Sequence, residues 1–231
     1  MRLPFTDRYD AGSHLGAALC DYVGRGDVVM MAIPPGGVPV AARAAEFLGV
    51  QLDLMLVQEM HLPGREELTV GALAAHGGMV LNVEILEEFK FTGGDIESLV
   101  AKERRRLRKW ERACRNGCPA ADVRNRCVIL VDDGLEAGVT LEAALMDIRE
   151  RQPSRIVLAA PVAQPETLDL IREQVDDVVC LAIVNASVRL GTWYETTECL
   201  DDVEVSNLLK SGRARYLAYP SSGKHDPPSE S

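Results

Sequence analysis

Residues 127–140 read Cys-Val-Ile-Leu-Val-Asp-Asp-Gly-Leu-Glu-Ala-Gly-Val-Thr. Five apolar residues in a row, closed by two acids and a glycine, make a strand buried on both faces that ends in a loop. From Thr140 to Ile148 the apolar residues Leu141, Ala144, Leu145 and Ile148 then recur at helical spacing. The same rhythm of strand, loop and helix repeats on either side. Val28 to Ile33 is a second such run, closed by Pro34, Pro35, Gly36 and Gly37, and a helix from Val38 to Leu48 stops at Gly49. Leu52–Val57, Ile156–Val162 and Val178–Val184 supply three more strands, with a helix from Glu166 to Gln174 between the last two. Strands alternating with helices require right-handed crossovers, so the fold class is α/β with a doubly wound parallel sheet.

Two regions break the rhythm. Residues 60–90 carry Gly64, Gly71, Gly77 and Gly78 around short apolar pieces, which predicts a hairpin or mobile excursion. Residues 95–115 predict a long charged helix, with Leu107, Trp110 and Cys114 as its apolar stripe. Residues 219–231 are almost free of apolar side chains and predict a disordered tail. One domain over 1–218 is expected, with a small hood from about 60–90 and 185–215. Apolar material at 68–86 suggests an interface in a homo-oligomer.

The chain has 231 residues, 47% of them apolar and 26% charged, as in an ordinary globular protein. No run approaches the ~18 apolar residues of a membrane span, and residues 1–8 carry no signal core, so a cytoplasmic protein without a membrane partner is expected. The net charge of −10 argues against general nucleic-acid binding. It is unevenly spread: Lys102 to Arg115 holds eight cations and two acids, leaving −16 elsewhere. That segment reads as a solvated helix face or, more sharply, as a cationic wall over an anion site or a nucleic-acid contact. Cys114 and Cys118 are four residues apart, but no second Cys or His pair completes a zinc site.

In an open parallel sheet, ligands bind outside the carboxyl ends of the strands. Two loops there carry candidate chemistry. Gly36 and Gly37 let backbone N–H groups converge on an anion ahead of a helix, although Pro-Gly sequences also simply turn a chain. Asp132 and Asp133 can take the vicinal hydroxyls of a sugar. Gly134, Leu135, Glu136, Ala137, Gly138, Val139 and Thr140 can hold a phosphate on a helix N-terminus. The plainer alternative makes the two acids turn formers and Thr140 an N-terminal helix residue.

The stretch 128–140 resembles the phosphoribosyl pyrophosphate signature of the type I phosphoribosyltransferases, an apolar run, two acids and a phosphate loop. Residues 32–38, Ala-Ile-Pro-Pro-Gly-Gly-Val, resemble the pyrophosphate loop of a bacterial branch that reads Pro-Arg-Gly-Gly. Leu62-Pro63-Gly64 and Val70-Gly71-Ala72-Leu73 resemble the excursion that follows strand two in that branch. The resemblance implies the family fold. It implies Asp132 and Asp133 as catalytic, ribose-binding and indirect metal residues, and Gly36 and Gly37 on the pyrophosphate. It also implies a Mg²⁺ cofactor and phosphoribosyl pyrophosphate or a nucleotide as ligand, with an unknown small acceptor. Trp193 and Tyr194 lie where the family carries an aromatic that stacks on a base, and Arg65 lies in the excursion where a compensating cation would help.

The departures are electrostatic. Pro35 replaces the branch's Arg, Gln58 and Glu59 replace a basic pair, and Glu136-Ala137 replaces Ala-Thr. One unit charge ~4 Å from a phosphate oxygen is worth roughly 1 to 4 kcal/mol. The sequence therefore supports a phosphoribosyltransferase, or a catalytically silent relative that binds a nucleotide or ribose phosphate to regulate a partner. A weaker third option is an assembly protein with an empty site.

Overall fold

The computed structural model describes residues 3–136, 138–185, 190–198 and 200–218. Ala137 and the tail 219–231 lie outside the described residues. Five parallel strands form the main sheet: β1 (Val28–Ala32), β2 (Gln51–Leu54), β6 (Cys127–Val131), β7 (Arg155–Ala163) and β8 (Asp177–Ile183), in the order β2-β1-β6-β7-β8. The chain moves outward from β1 to β2 and returns to place β6 on the other side of β1. That reversal puts the crevice at the carboxyl ends of β1 and β6.

Alternate residues of β1, β6 and β7 serve opposite cores, which is why these strands read as unbroken apolar runs. Val28, Met30, Ala32, Ile129 and Val131 pack with α1 (Arg8–Ala18), α2 (Gly37–Leu48) and α7 (Asp202–Ala218). Val29, Met31, Val128 and Leu130 pack with α5 (Val139–Glu150) and α6 (Pro165–Ile171). The sheet is thus covered on both faces, a doubly wound α/β fold.

The run Leu52–Val57 does not form one strand. β2 stops at Leu54, and Val57 opens β3 (Val57–Leu62) of a second sheet. With β4 (Arg65–Ala74) and β5 (Met79–Leu81) it makes a three-stranded antiparallel sheet in the order β3-β4-β5. The short helix α3 (Val83–Glu88) follows and packs on β4. The excursion is therefore built structure rather than a lone hairpin. Its tight turn after β4 is held by Asp147 of α5, whose Oδ1 accepts from the backbone N–H groups of His76 (2.9 Å) and Gly78 (3.3 Å). Burial pushes the Asp147 carboxyl up, but the hydrogen bond and charge of His76, the Gly78 N–H and Arg151 outweigh it and hold the group below its ordinary value. Val70, Ala72, Leu73 and Ala74 are buried within this one chain, whereas Met79, Val80, Leu81 and Ile85 are half-buried and Val83 is exposed.

The charged helix α4 (Gly93–Arg115) starts with a capping box between Thr92 and Asp95 and packs against α7 and β3. Its stripe is Leu99, Leu107 and Cys114, all buried. The helix ends by inserting Arg115 beneath the sheet, where Nη1 meets Asp53 Oδ1 at 2.6 Å. Residues 202–218 form α7, packed against α4, β2 and α2. Among the described residues no helix is long and apolar enough to cross a membrane.

Candidate active site

The crevice between β1 and β6 is a cleft of about 390 Å³, a size that suits a small ligand. One wall is the turn 34–36 ahead of α2. A methyl group on Gly36 would collide with the Asp133 carboxylate, and one on Gly37 would lie 2.7 Å from the Val131 carbonyl oxygen. The two glycines are therefore required by close approach of this turn to the acidic loop, a constraint no spacing rule announces.

The opposite wall is the loop from β6 into α5. Leu135 is buried and anchors it: its N–H donates to the Val162 carbonyl (2.9 Å), and its own carbonyl accepts from Gln164 (3.1 Å). Val139 also packs into the core below. These two residues offer the cleft backbone rather than side chain. Thr140 opens α5 and donates its hydroxyl to Glu59 Oε1 of β3 at 2.8 Å. Gln164 Nε2 donates to Glu136 Oε1 at 3.3 Å. Gly134 and Gly138 also line the cleft.

Asp132 and Asp133 lie side by side at the floor. Asp132 Oδ1 accepts the Asp133 N–H at 2.8 Å. Desolvation first, and the Asp133 charge second, push the Asp132 carboxyl well above the usual carboxylate range. Asp133 faces a cation instead. Arg8, the first residue of α1, donates to its Oδ2 from Nε (2.8 Å) and approaches it with Nη2 (2.7 Å). Arg8 Nη1 donates to the Glu198 carbonyl at 3.1 Å, and its guanidinium lies 5.2 Å from the centre of the Tyr194 ring. The Tyr194 hydroxyl in turn donates to the Asp133 carbonyl. Burial, reinforced by the Asp133 charge, raises the Tyr194 pKa, which keeps it a donor.

The structure thus brings together Gly36, Asp132, Asp133, Gly134, Leu135, Glu136, Gly138 and Thr140 around one space. Gly37 and Val139 stand directly behind them. Three expected residues are placed differently. Arg65 sits at the β3–β4 hairpin tip, its guanidinium 5.1 Å from the centre of the Phe89 ring, and does not line the cleft. Trp193 packs with Phe5 and Tyr194. Tyr194 is buried, beneath Arg8 and against Phe5, so it braces the acidic loop and offers no open face for stacking. Arg8 was not expected as a site residue, and Glu59 was expected there only as an acid in place of the branch's basic pair. Glu59 was visible as an unusual acid; Arg8 left no signal, being one arginine 125 residues from its partner.

Residues 6–192 match the phosphoribosyl transferase domain family. The chain belongs to that family. It is 30% identical over 225 residues to proteins of two Mycobacterium tuberculosis strains, CDC 1551 and H37Rv, that are provisionally named phosphoribosyl transferases. The match covers 97% of this chain but 51% of theirs, so the chain spans about half the length of these curated relatives. The crystal structure of TT1426 from Thermus thermophilus is similar with a TM-score of 0.75 and 34% identity, covering 91% of this chain and 99% of that one. The cleft lies at the sheet reversal of this phosphoribosyl transferase fold, and its acidic pair is the pair that the sequence signature marks.

Proposed function

We propose that the protein is a Mg²⁺-dependent phosphoribosyltransferase, which uses phosphoribosyl pyrophosphate and a base or other small acceptor. The observation that carries this reading is the convergence of the acidic pair, the glycine turn and the α5 N-terminus on one cleft. Asp132 and Asp133 take the sugar hydroxyls; a carboxyl kept toward its protonated form, as at Asp132, can donate to a hydroxyl as well as accept from one. The N–H groups that open α5, with the Thr140 hydroxyl, hold the 5′-phosphate. The turn at Gly36 and Gly37 offers its backbone to the pyrophosphate. Displacement at the anomeric carbon then proceeds by positioning and by carboxylates set near the developing positive charge.

Among the described residues no three acids, histidines or cysteines cluster as a metal cage. The hard oxygens of Asp132 and Asp133 suit an ion that arrives with the ligand and keeps most of its shell from ligand and water. When bound, such an ion would neutralise pyrophosphate charge.

A second reading, a silent regulator that binds a nucleotide or ribose phosphate, is favoured by the pyrophosphate turn, which carries Pro35 and no cation to steady a departing pyrophosphate. Thermal unfolding with millimolar phosphoribosyl pyrophosphate, with and without Mg²⁺, tests both. Ligand at a hundred times its dissociation constant adds ~2.7 kcal/mol, several degrees at this size. A Mg²⁺-dependent shift together with pyrophosphate release across a panel of bases supports the transferase. A shift without turnover supports the regulator, and no response to any phosphoribosyl ligand overturns both.

A further inference from the structure

We propose that Arg8 is the residue that binds the diphosphate end of the ligand, and so makes the cleft select phosphoribosyl pyrophosphate over ribose 5-phosphate. This rests on the phosphoribosyl reading of the cleft and adds to it a residue outside both signature loops.

Charge sets the problem. Glu59, Asp132, Asp133 and Glu136 all line the cleft, and Arg8 is the single cationic side chain among the described lining residues. The pyrophosphate turn has Pro35 and no cation, the basic helix α4 packs elsewhere, and Arg65 stands at the hairpin tip. A polyphosphate entering here meets one guanidinium.

Geometry places that guanidinium on the pyrophosphate side. The carboxylate oxygen it grips, Asp133 Oδ2, is the atom that a methyl group on Gly36 would strike first. Arg8 is therefore one carboxylate away from the turn that offers its backbone to the diphosphate. It need not leave Asp133 to serve. Nε and Nη2 engage Asp133, and Nη1 engages the Glu198 carbonyl. Guanidinium carries five N–H donors, so one N–H on each terminal nitrogen stays uncommitted by these bonds. The side chain is 11% exposed and lies over the Tyr194 ring, which fixes its plane before any ligand arrives. A planar, pre-set fork is suited to two oxygens of one phosphoryl group.

The test compares two ligands on three proteins. Wild type, Arg8→Gln and Arg8→Lys are titrated calorimetrically with ribose 5-phosphate and with phosphoribosyl pyrophosphate, both with Mg²⁺. Arg8→Gln should weaken phosphoribosyl pyrophosphate ~10- to 100-fold and leave ribose 5-phosphate within about threefold. Arg8→Lys, which keeps the charge and loses the fork, should fall between. Should Arg8→Gln fail to fold, Arg8→Lys keeps a cation on Asp133 and must still show the selective loss. Equal weakening of both ligands would mean that Arg8 acts only by holding Asp133, and no weakening would mean that it touches neither; each overturns the proposal and leaves the phosphoribosyl reading standing. A wild type that binds neither ligand removes that reading, and this one with it.

Discussion

Asp132 and Asp133 adjoin in sequence and differ in everything around them. Asp133 has a guanidinium on its carboxylate; Asp132 has burial and a neighbouring negative charge, which raise its pKa. A carboxyl whose folded pKa lies above its unfolded value holds its proton more tightly in the native state. Ionising it therefore costs stability, and that cost is present above the folded pKa and absent below the unfolded one. Asp132→Asn removes the cost while keeping the shape. It should raise the melting temperature at about pH 7.5, converge with wild type below the ordinary carboxylate pKa of ~3.9, and abolish the response to phosphoribosyl pyrophosphate. Thermal scans across that pH range check the sign; a variant less stable than wild type at neutral pH would refute the account. The acids and glycines of this site were legible because a strand end fixes them locally. Arg8 was not, because nothing near residue 8 records what residue 133 needs.

Whether an element could be read depended on what its buried face is made of. The central strands announce themselves because both of their faces bury apolar side chains. Helix α1 gives no such stripe. It meets α2 through Gly12 and Gly16, and a methyl group on Gly12 would lie 2.5 Å from the Val40 carbonyl oxygen. Close backbone approach, rather than bulk, makes that interface, so periodicity is silent there. The break in the Leu52–Val57 run was hidden for the opposite reason, since both sheets bury apolar residues alike. Helix α4 contributes no residue to the lining of the cleft, and its cations divide into two kinds. Arg104, Arg105, Arg108 and Lys109 are exposed, whereas Arg115 is 6% exposed against Asp53 at 2%. Asp53 also accepts from the backbone of Leu54 and Ala121. Arg115→Ala leaves that carboxylate buried without its cation and should cost about 3–5 kcal/mol. Arg104→Ala should stay within about ±0.5 kcal/mol. Urea midpoints for the two variants decide, and equal losses would contradict this division of the helix.

At the scale of the molecule, the site is held from below by segments far apart in sequence. Element order predicts parallel strands but not which strands adjoin, so the crevice between β1 and β6 emerges only from the pairing of β1 with both β2 and β6. Beneath it, residues 5–6 and 193–196 run side by side. Phe5 N–H donates to the Trp193 carbonyl and Glu195 N–H to the Phe5 carbonyl, both at 2.8 Å, and Thr196 N–H donates to the Thr6 carbonyl at 3.1 Å. Phe5 is fully buried against Ala11, Val162, Val184 and Tyr194. This braid delivers Arg8 and Tyr194 to opposite ends of the same residue, the carboxylate and the carbonyl of Asp133. Phe5→Ala should therefore do two things at once. The cavity costs ~3–5 kcal/mol, and the loosened braid weakens ligand binding beyond what lost stability alone would produce. Leu209→Ala is the control: Leu209 is equally enclosed, on α7 against the far edge of the sheet, and should cost ~2–5 kcal/mol. Both variants should melt earlier than wild type by similar amounts, but only Phe5→Ala should lose calorimetric affinity for phosphoribosyl pyrophosphate at a temperature where each is fully folded. If the two bind alike, the braid is scaffold only, and Arg8 and Tyr194 keep their places on Asp133 without it.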